Sequence, residues 1–171
     1  MTRTRQTGAA STVPAITLAL ADEAATRALA GRLAACLAPG DVVALAGDLG
    51  AGKTTLARAV IRAAAGAAIE VPSPTFTLVQ AYDLPAGTLW HFDLYRISAP
   101  DDVVELGWDD ATAGGIVLVE WPDRLGGLLP ADRLEMTLAF GAAPGTRVAT
   151  LAGCGAWAGR LAGLGDPVVA G

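Results

Sequence analysis

The chain has 171 residues and a net charge of -5, the length of one ordinary domain, and its 53% hydrophobic content suffices for a core although alanine inflates it. With 12 Lys+Arg against 17 Asp+Glu, the sequence lacks the basic face of an autonomous nucleic-acid binder, so any contact with RNA is expected to be indirect. No apolar run reaches the ~18 residues of a transmembrane helix, and Cys36 and Cys154 lack metal-type or C-x-x-C spacing, which fits reduced thiols in a cytoplasmic protein with no membrane partner.

Residues 1–14 carry Arg3 and Arg5 among several Thr without the apolar stretch of a signal peptide, and a disordered leader is expected; an organellar transit segment is the other reading. Residues 16–20 read as a first strand. Asp22 then resembles an N-cap, and Leu29, Leu33 and Leu37 mark the buried face of a helix that ends near Pro39 and Gly40. Residues 41–46 form a short apolar, partly β-branched run expected to be a buried parallel strand. After it comes Gly47-Asp48-Leu49-Gly50-Ala51-Gly52-Lys53-Thr54, a complete G-x-x-x-x-G-K-[ST] loop. The helix that follows places Leu56, Val60 and Ile61 on one face with Arg58 and Arg62 opposite, and Gly66 stops it.

Pro72-Ser73-Pro74-Thr75 is a rigid turn, residues 76–82 are expected to be extended, and 83–87 suggest a hairpin. Residues 89–95 alternate at strand period, with His91, Asp93 and Tyr95 on a polar face and Trp90, Phe92 and Leu94 on a core face. A short acidic helix is expected over 101–106, and 115–120 is an apolar strand ending in one carboxylate. Leu134, Met136, Leu138 and Phe140 alternate with Glu135 and Thr137 as a half-exposed strand. The Gly- and Ala-rich stretch 142–171 has few anchors and is set apart as a C-terminal extension of uncertain structure, leaving 15–141 as a P-loop ATPase domain. The fold class is α/β, a P-loop NTPase-like, mostly parallel sheet flanked by helices, with antiparallel strand additions.

Lys53 is the one lysine of the chain beside 11 Arg, so a background that supplies Arg holds Lys where a compact ammonium must reach between β- and γ-phosphate oxygens. The loop from Asp48 through Leu49, Gly50, Ala51, Gly52, Lys53 and Thr54 to Thr55 would cradle the phosphates with backbone N–H groups, with the Thr54 hydroxyl placed to ligate Mg²⁺. A second apolar strand of such folds commonly ends in an acid that serves Mg²⁺ or the attacking water, and Glu120 is that acid. Asp93 is a candidate to orient water near the γ-phosphate; its alternative is a salt bridge with Arg96. Ser73 and Thr75, with His91, Tyr95 and Arg96, are candidates for a segment that switches with the nucleotide or meets a partner.

Several motifs in order carry a resemblance: the phosphate loop, Ser73-Pro74-Thr75-Phe76-Thr77-Leu78-Val79, His91-Phe92-Asp93-Leu94-Tyr95-Arg96, Glu105-Leu106-Gly107 and Val119-Glu120-Trp121-Pro122. Over roughly residues 22–140 the chain resembles the TsaE (YjeE) family. The resemblance implies an ATPase that works with TsaD and TsaB in forming threonylcarbamoyladenosine next to the anticodon of tRNAs reading codons that begin with A. It implies ATP and Mg²⁺ as ligands, slow hydrolysis by the isolated subunit, tRNA reached only through the complex, and cytoplasmic location. By similarity Thr54 and Glu120 would bind Mg²⁺, Lys53 and Asp93 would support hydrolysis, and Asp22 and Thr26 would lie near the adenine. Trp108 and Ala111 depart from the family's usual aliphatic and aromatic residues, which leaves the partner contacts of the acidic helix open.

Two rival readings remain at this stage. A small-molecule P-loop kinase needs an Arg-bearing lid, for which residues 62–120 offer no candidate; a nucleotide-gated assembly subunit would use ATP as a conformational ligand. A GTPase is disfavoured because an N-K-x-D motif requires a second lysine.

Overall fold

A computed structural model describes residues 13–165. Residues 1–12 of the expected leader and 166–171 of the tail lie outside the described residues. Strand β1 (Ala15–Leu20) leads into α1 (Glu23–Cys36), whose start is set by Asp22: its Oδ1 accepts from the Ala25 N–H at 2.8 Å. β2 (Val42–Gly47) and α2 (Lys53–Ala65) flank the phosphate loop, and Gly66 closes α2 with its N–H donating to Ala63 O. β3 (Val79–Leu84) and β4 (Gly87–Asp93) form the expected hairpin. Then come a 3₁₀ helix (Pro100–Leu106), α3 (Trp108–Gly114), β5 (Ile116–Glu120), a second 3₁₀ segment (Pro122–Leu128), β6 (Arg133–Phe140), β7 (Arg147–Cys154) and α4 (Ala162–Gly165).

The seven strands form one sheet in the order β1-β7-β6-β2-β5-β4-β3. Its middle, β6, β2, β5 and β4, is parallel, and β1, β7 and β3 add antiparallel at the two sides. Alternate residues of β2 feed two separate cores: Val43 and Leu45 pack under α1 and α2 with Leu29, Leu33, Leu56 and Ile61, while Val42 and Ala44 pack with Phe92, Val119 and Trp108. Burial on both faces is why β2 and β5 read as unbroken apolar runs.

Four features differ from the sequence-based expectation. Residues 76–78 are not extended: the Leu78 N–H closes a turn onto Pro74 O at 2.7 Å, lifting Phe76 into solvent at 82% exposure, and the strand starts at Val79. The polar face of β4 is not open, because the strand lies inside the sheet and His91 and Asp93 are both buried. Phe140 is exposed rather than core, lying beneath the Arg147 guanidinium at 4.6 Å.

The fourth difference concerns the stretch set apart at 142–171, which supplies β7, paired to β1 on one side and β6 on the other. Small side chains make this possible. A Cβ at Gly153 would stand 2.5 Å from Trp157 O, so glycine lets the turn carrying buried Trp157 close onto the strand. Arg160 then stacks over Trp157 at 3.6 Å and pairs with Asp41 at 2.6 Å. The two residues that depart from the family pattern, Trp108 and Ala111, are both buried, with Trp108 edge-on to Phe92 at 5.1 Å; they belong to the core of this fold.

Candidate functional site

The carboxyl ends of the parallel strands β2, β4 and β5 converge on the amino end of α2, where an open sheet of this type places its ligands. The loop conformation is forced at its first residue. Gly47 has φ 139°, and any Cβ there would run into the Leu138 carbonyl of β6. From that point the chain wraps around Lys53, whose Nζ donates to Gly47 O at 2.6 Å and Asp48 O at 2.8 Å. Burial pushes the Lys53 ammonium below its ordinary pKa, against the opposing pull of Glu120, Asp93 and Asp48.

Glu120 ends β5 in the interior, and its Oε1 accepts from the Thr54 hydroxyl at 2.6 Å. Parallel pairing sets Asp93 of β4 directly opposite Glu120. Burial raises the Asp93 carboxyl above the usual carboxylate range; the Tyr95 N–H, which donates to Oδ1 at 3.1 Å, pulls the other way, and Glu120 adds to the rise. Asp93 makes no ion pair with Arg96, whose guanidinium instead lies 4.9 Å from the Phe76 ring. The alternative of a surface salt bridge is thereby removed.

A cleft of about 380 Å³ gathers Leu49, Gly50, Gly52, Lys53, Thr54, Thr55, Thr75, Asp93, Tyr95, Arg96, Glu120 and Trp121. Ser73 stands behind it, its hydroxyl 2.6 Å from that of Thr75. The turn bearing Thr75 is tied to β4, since the Asp93 N–H donates to Leu78 O at 2.9 Å. A second cleft continues along the other side of the loop past Asp22, Thr26, Ala51 and Arg147, sharing Gly52 and Thr55 with the first. Thus the structure brings the loop residues Leu49 to Thr55, both acids and the start of α1 to two adjoining clefts, whereas Asp48 lines neither and meets Lys53 through its backbone carbonyl. His91 also stands apart: it is fully buried against Glu120, out of reach of any partner.

Two residues at the groove were given no role from sequence. Trp121 holds φ 60° and ψ 54°, a left-handed conformation that costs a bulky residue about 1–3 kcal/mol, and its ring lies 4.2 Å from Lys53 Nζ and 4.9 Å from Tyr95. Strain of that kind leaves no mark in residue type. Arg147, at the start of β7, donates from Nε to Ala51 O at 3.0 Å and from Nη2 to Gly50 O at 3.4 Å, bracing the loop from behind. Its one signal was to be a charged residue in an otherwise Gly/Ala-rich stretch.

Residues 20–147 match the family described as "Threonylcarbamoyl adenosine biosynthesis protein TsaE". The chain is 41% identical over 121 residues to the tRNA threonylcarbamoyladenosine biosynthesis protein TsaE of Rickettsia felis, covering 71% of each. It is 40% identical over 114 residues to the protein of that name from Bacillus subtilis, covering 66% of this chain and 70% of the relative. The crystal structure of YdiB from Bacillus subtilis superposes with a TM-score of 0.68 at 30% identity, over 85% of this chain and 90% of that one.

Proposed function

The chain belongs to the TsaE family, and on that premise we propose that it is a Mg²⁺-dependent ATPase subunit that supports TsaB and TsaD in forming threonylcarbamoyladenosine on tRNA, meeting tRNA only through that complex. The observation that carries the reading is the convergence of Lys53, Thr54, Asp93 and Glu120 on one cleft beside the phosphate loop. The donor set suits Mg²⁺. Thr54 and Glu120 offer hard oxygens 2.6 Å apart, and the described residues hold no group of three His, Cys, Asp or Glu able to cage an ion. Mg²⁺ favours such a site, since it keeps waters and takes further oxygens from the substrate phosphates. When bound, it neutralises charge on the β- and γ-phosphate oxygens.

Lys53 now rests on neutral backbone carbonyls, which charged phosphate oxygens outbid as acceptors, so its ammonium turns to the nucleotide with little rearrangement. Asp48 to Thr55 cradle the phosphates, and Asp22 and Thr26 face the nucleoside along the second cleft. Asp93, with its carboxyl raised by burial, orients the attacking water. Ser73, Thr75, Tyr95 and Arg96 report the γ-phosphate to the partners. Coupling of about 1–3 kcal/mol between nucleotide and partner means a 5- to 150-fold difference in TsaB–TsaD affinity between ATP and ADP.

Reconstitution tests this. TsaB, TsaD, tRNA and a threonylcarbamoyl donor should sustain multiple turnovers only with this chain and ATP present, and Glu120→Gln should stall them. Equal multiple turnover with the chain omitted contradicts the reading.

A further inference from the structure

Both carboxylate oxygens of Glu120 are engaged before any ligand arrives. Oε1 accepts from Thr54, and Oε2 lies 3.0 Å from His91 Nε2, in a pair whose side chains are 0% and 1% exposed. An ionised carboxylate only accepts, so His91 Nε2 must carry a hydrogen. On the other side of the ring Nδ1 is buried with no hydrogen-bond partner among the described residues. A hydrogen on Nδ1 would be a buried, unpaired N–H donor, so the packing favours the hydrogen on Nε2.

Strand register explains the meeting. His91 pairs with Leu118 and Asp93 with Glu120, so His91 and Glu120 are diagonal neighbours on one face of adjacent parallel strands. The face is the one turned toward α2, and the imidazole has no outlet to solvent or to either cleft. Among the described residues its one hydrogen-bond partner is Glu120.

We propose that His91 is a positioning residue: by donating from Nε2 to Glu120 Oε2 it stops the carboxylate from rotating, keeps Oε1 turned to Thr54, and so sets the affinity for nucleotide-bound Mg²⁺. The inference rests on the reading of Thr54 and Glu120 as the Mg²⁺ pair. A ligand carboxylate without its outer hydrogen bond has to be ordered by the metal itself, and loss of such partners commonly costs about 10- to 100-fold in metal affinity. A histidine kept only for packing has no such effect.

The test separates donor from volume. His91→Gln places an amide N–H near the position of Nε2, whereas His91→Leu fills space without donating. ADP binding is measured by calorimetry on the full chain with Mg²⁺ and with EDTA. In EDTA both variants should bind ADP within about twofold of wild type, since His91 lines neither cleft. With Mg²⁺, His91→Leu should lose about tenfold or more of the enhancement that the wild type shows, and His91→Gln should stay within about threefold. If His91→Leu fails to fold, His91→Asn replaces it, because its shorter amide reaches toward Nδ1 and must lose the enhancement as well. Wild-type enhancement in His91→Leu or His91→Asn, or equal loss in His91→Gln, overturns the inference alone. Absence of any Mg²⁺ effect in the wild type overturns the reading of Thr54 and Glu120 and the inference with it.

Discussion

The phosphate loop and strand β7 touch at Arg147, and they are built by opposite means. Around the loop the chain buries an ammonium and two carboxylates, bends a glycine to φ 139° and holds Trp121 in a left-handed conformation. The buried charges and the left-handed Trp121 oppose folding, and the glycine is what keeps the bend free of strain. Strand β7 buries Ala149, Leu151 and Gly153 and gains its place through ladders to β1 and β6, apolar burial and the close approach that Gly153 allows. In the proposed function the loop region gives up stability for chemistry, whereas β7 only supplies it. Substitutions in the loop should therefore damage nucleotide chemistry and spare the fold, and substitutions in β7 should do the reverse.

The largest expected effect lies on the loop side. Glu120→Gln should slow ATP hydrolysis by about 10²-fold or more with an unchanged circular dichroism spectrum, because the amide cannot serve Mg²⁺ as the carboxylate does. Wild-type rates would reduce Glu120 to a strand end. Next comes the opposite region: Gly153→Ala forces a Cβ onto Trp157 O and should cost about 2 kcal/mol in urea unfolding, with ADP affinity unchanged. A fall in ADP affinity as large as the fall in stability would erase the division between the two regions.

Arg147 sharpens the boundary, since it is a residue of β7 that braces the loop. Arg147→Ala removes the donors to Ala51 O and Gly50 O and should weaken ADP binding about fivefold, a loss of roughly 1 kcal/mol, with little change in unfolding.

The smallest effect should have the unusual sign. Burial holds the Asp93 carboxyl above its usual range, so the folded chain binds this proton more tightly than the unfolded chain does. The stability it contributes is full below the unfolded pKa and is lost as pH rises through the folded pKa. Above the folded pKa the ionised group is a burden, and there Asp93→Asn should raise Tm by about 2–4 °C while slowing hydrolysis. The gain should shrink as pH falls below the folded pKa, where the wild-type carboxyl is itself neutral; a gain independent of pH would refute the burial argument.

What could be read in the residues follows the same division. Lys53, its glycines and Thr54 are legible because anion binding demands particular residue types at fixed spacing, and Glu120 because an acid at the end of an apolar run is visible as such. The unbroken apolar β2 and β5 reveal a sheet covered on both faces. Strand β7 was not legible, since Ala149 and Gly153 act by what they lack and alanine fills the whole chain. Neither was the turn at residues 74–78: it closes through one backbone hydrogen bond, Leu78 N–H to Pro74 O, with Leu78 held at φ 66°, a left-handed conformation that leucine does not announce. The contact between His91 and Glu120 spans 29 residues and depends on β4 pairing with β5, a register that neither strand declares by itself.

The proposed function turns on Lys53 holding the β- and γ-phosphates of ATP, and calorimetry of Mg²⁺-ATP binding to wild type and Lys53→Arg is the closest check of it. The wild type should bind, and Lys53→Arg, with the same charge and the same circular dichroism spectrum, should lose about 100-fold or more in affinity, because the guanidinium fork cannot fit among the loop's backbone groups. Equal affinity in the two proteins would contradict it.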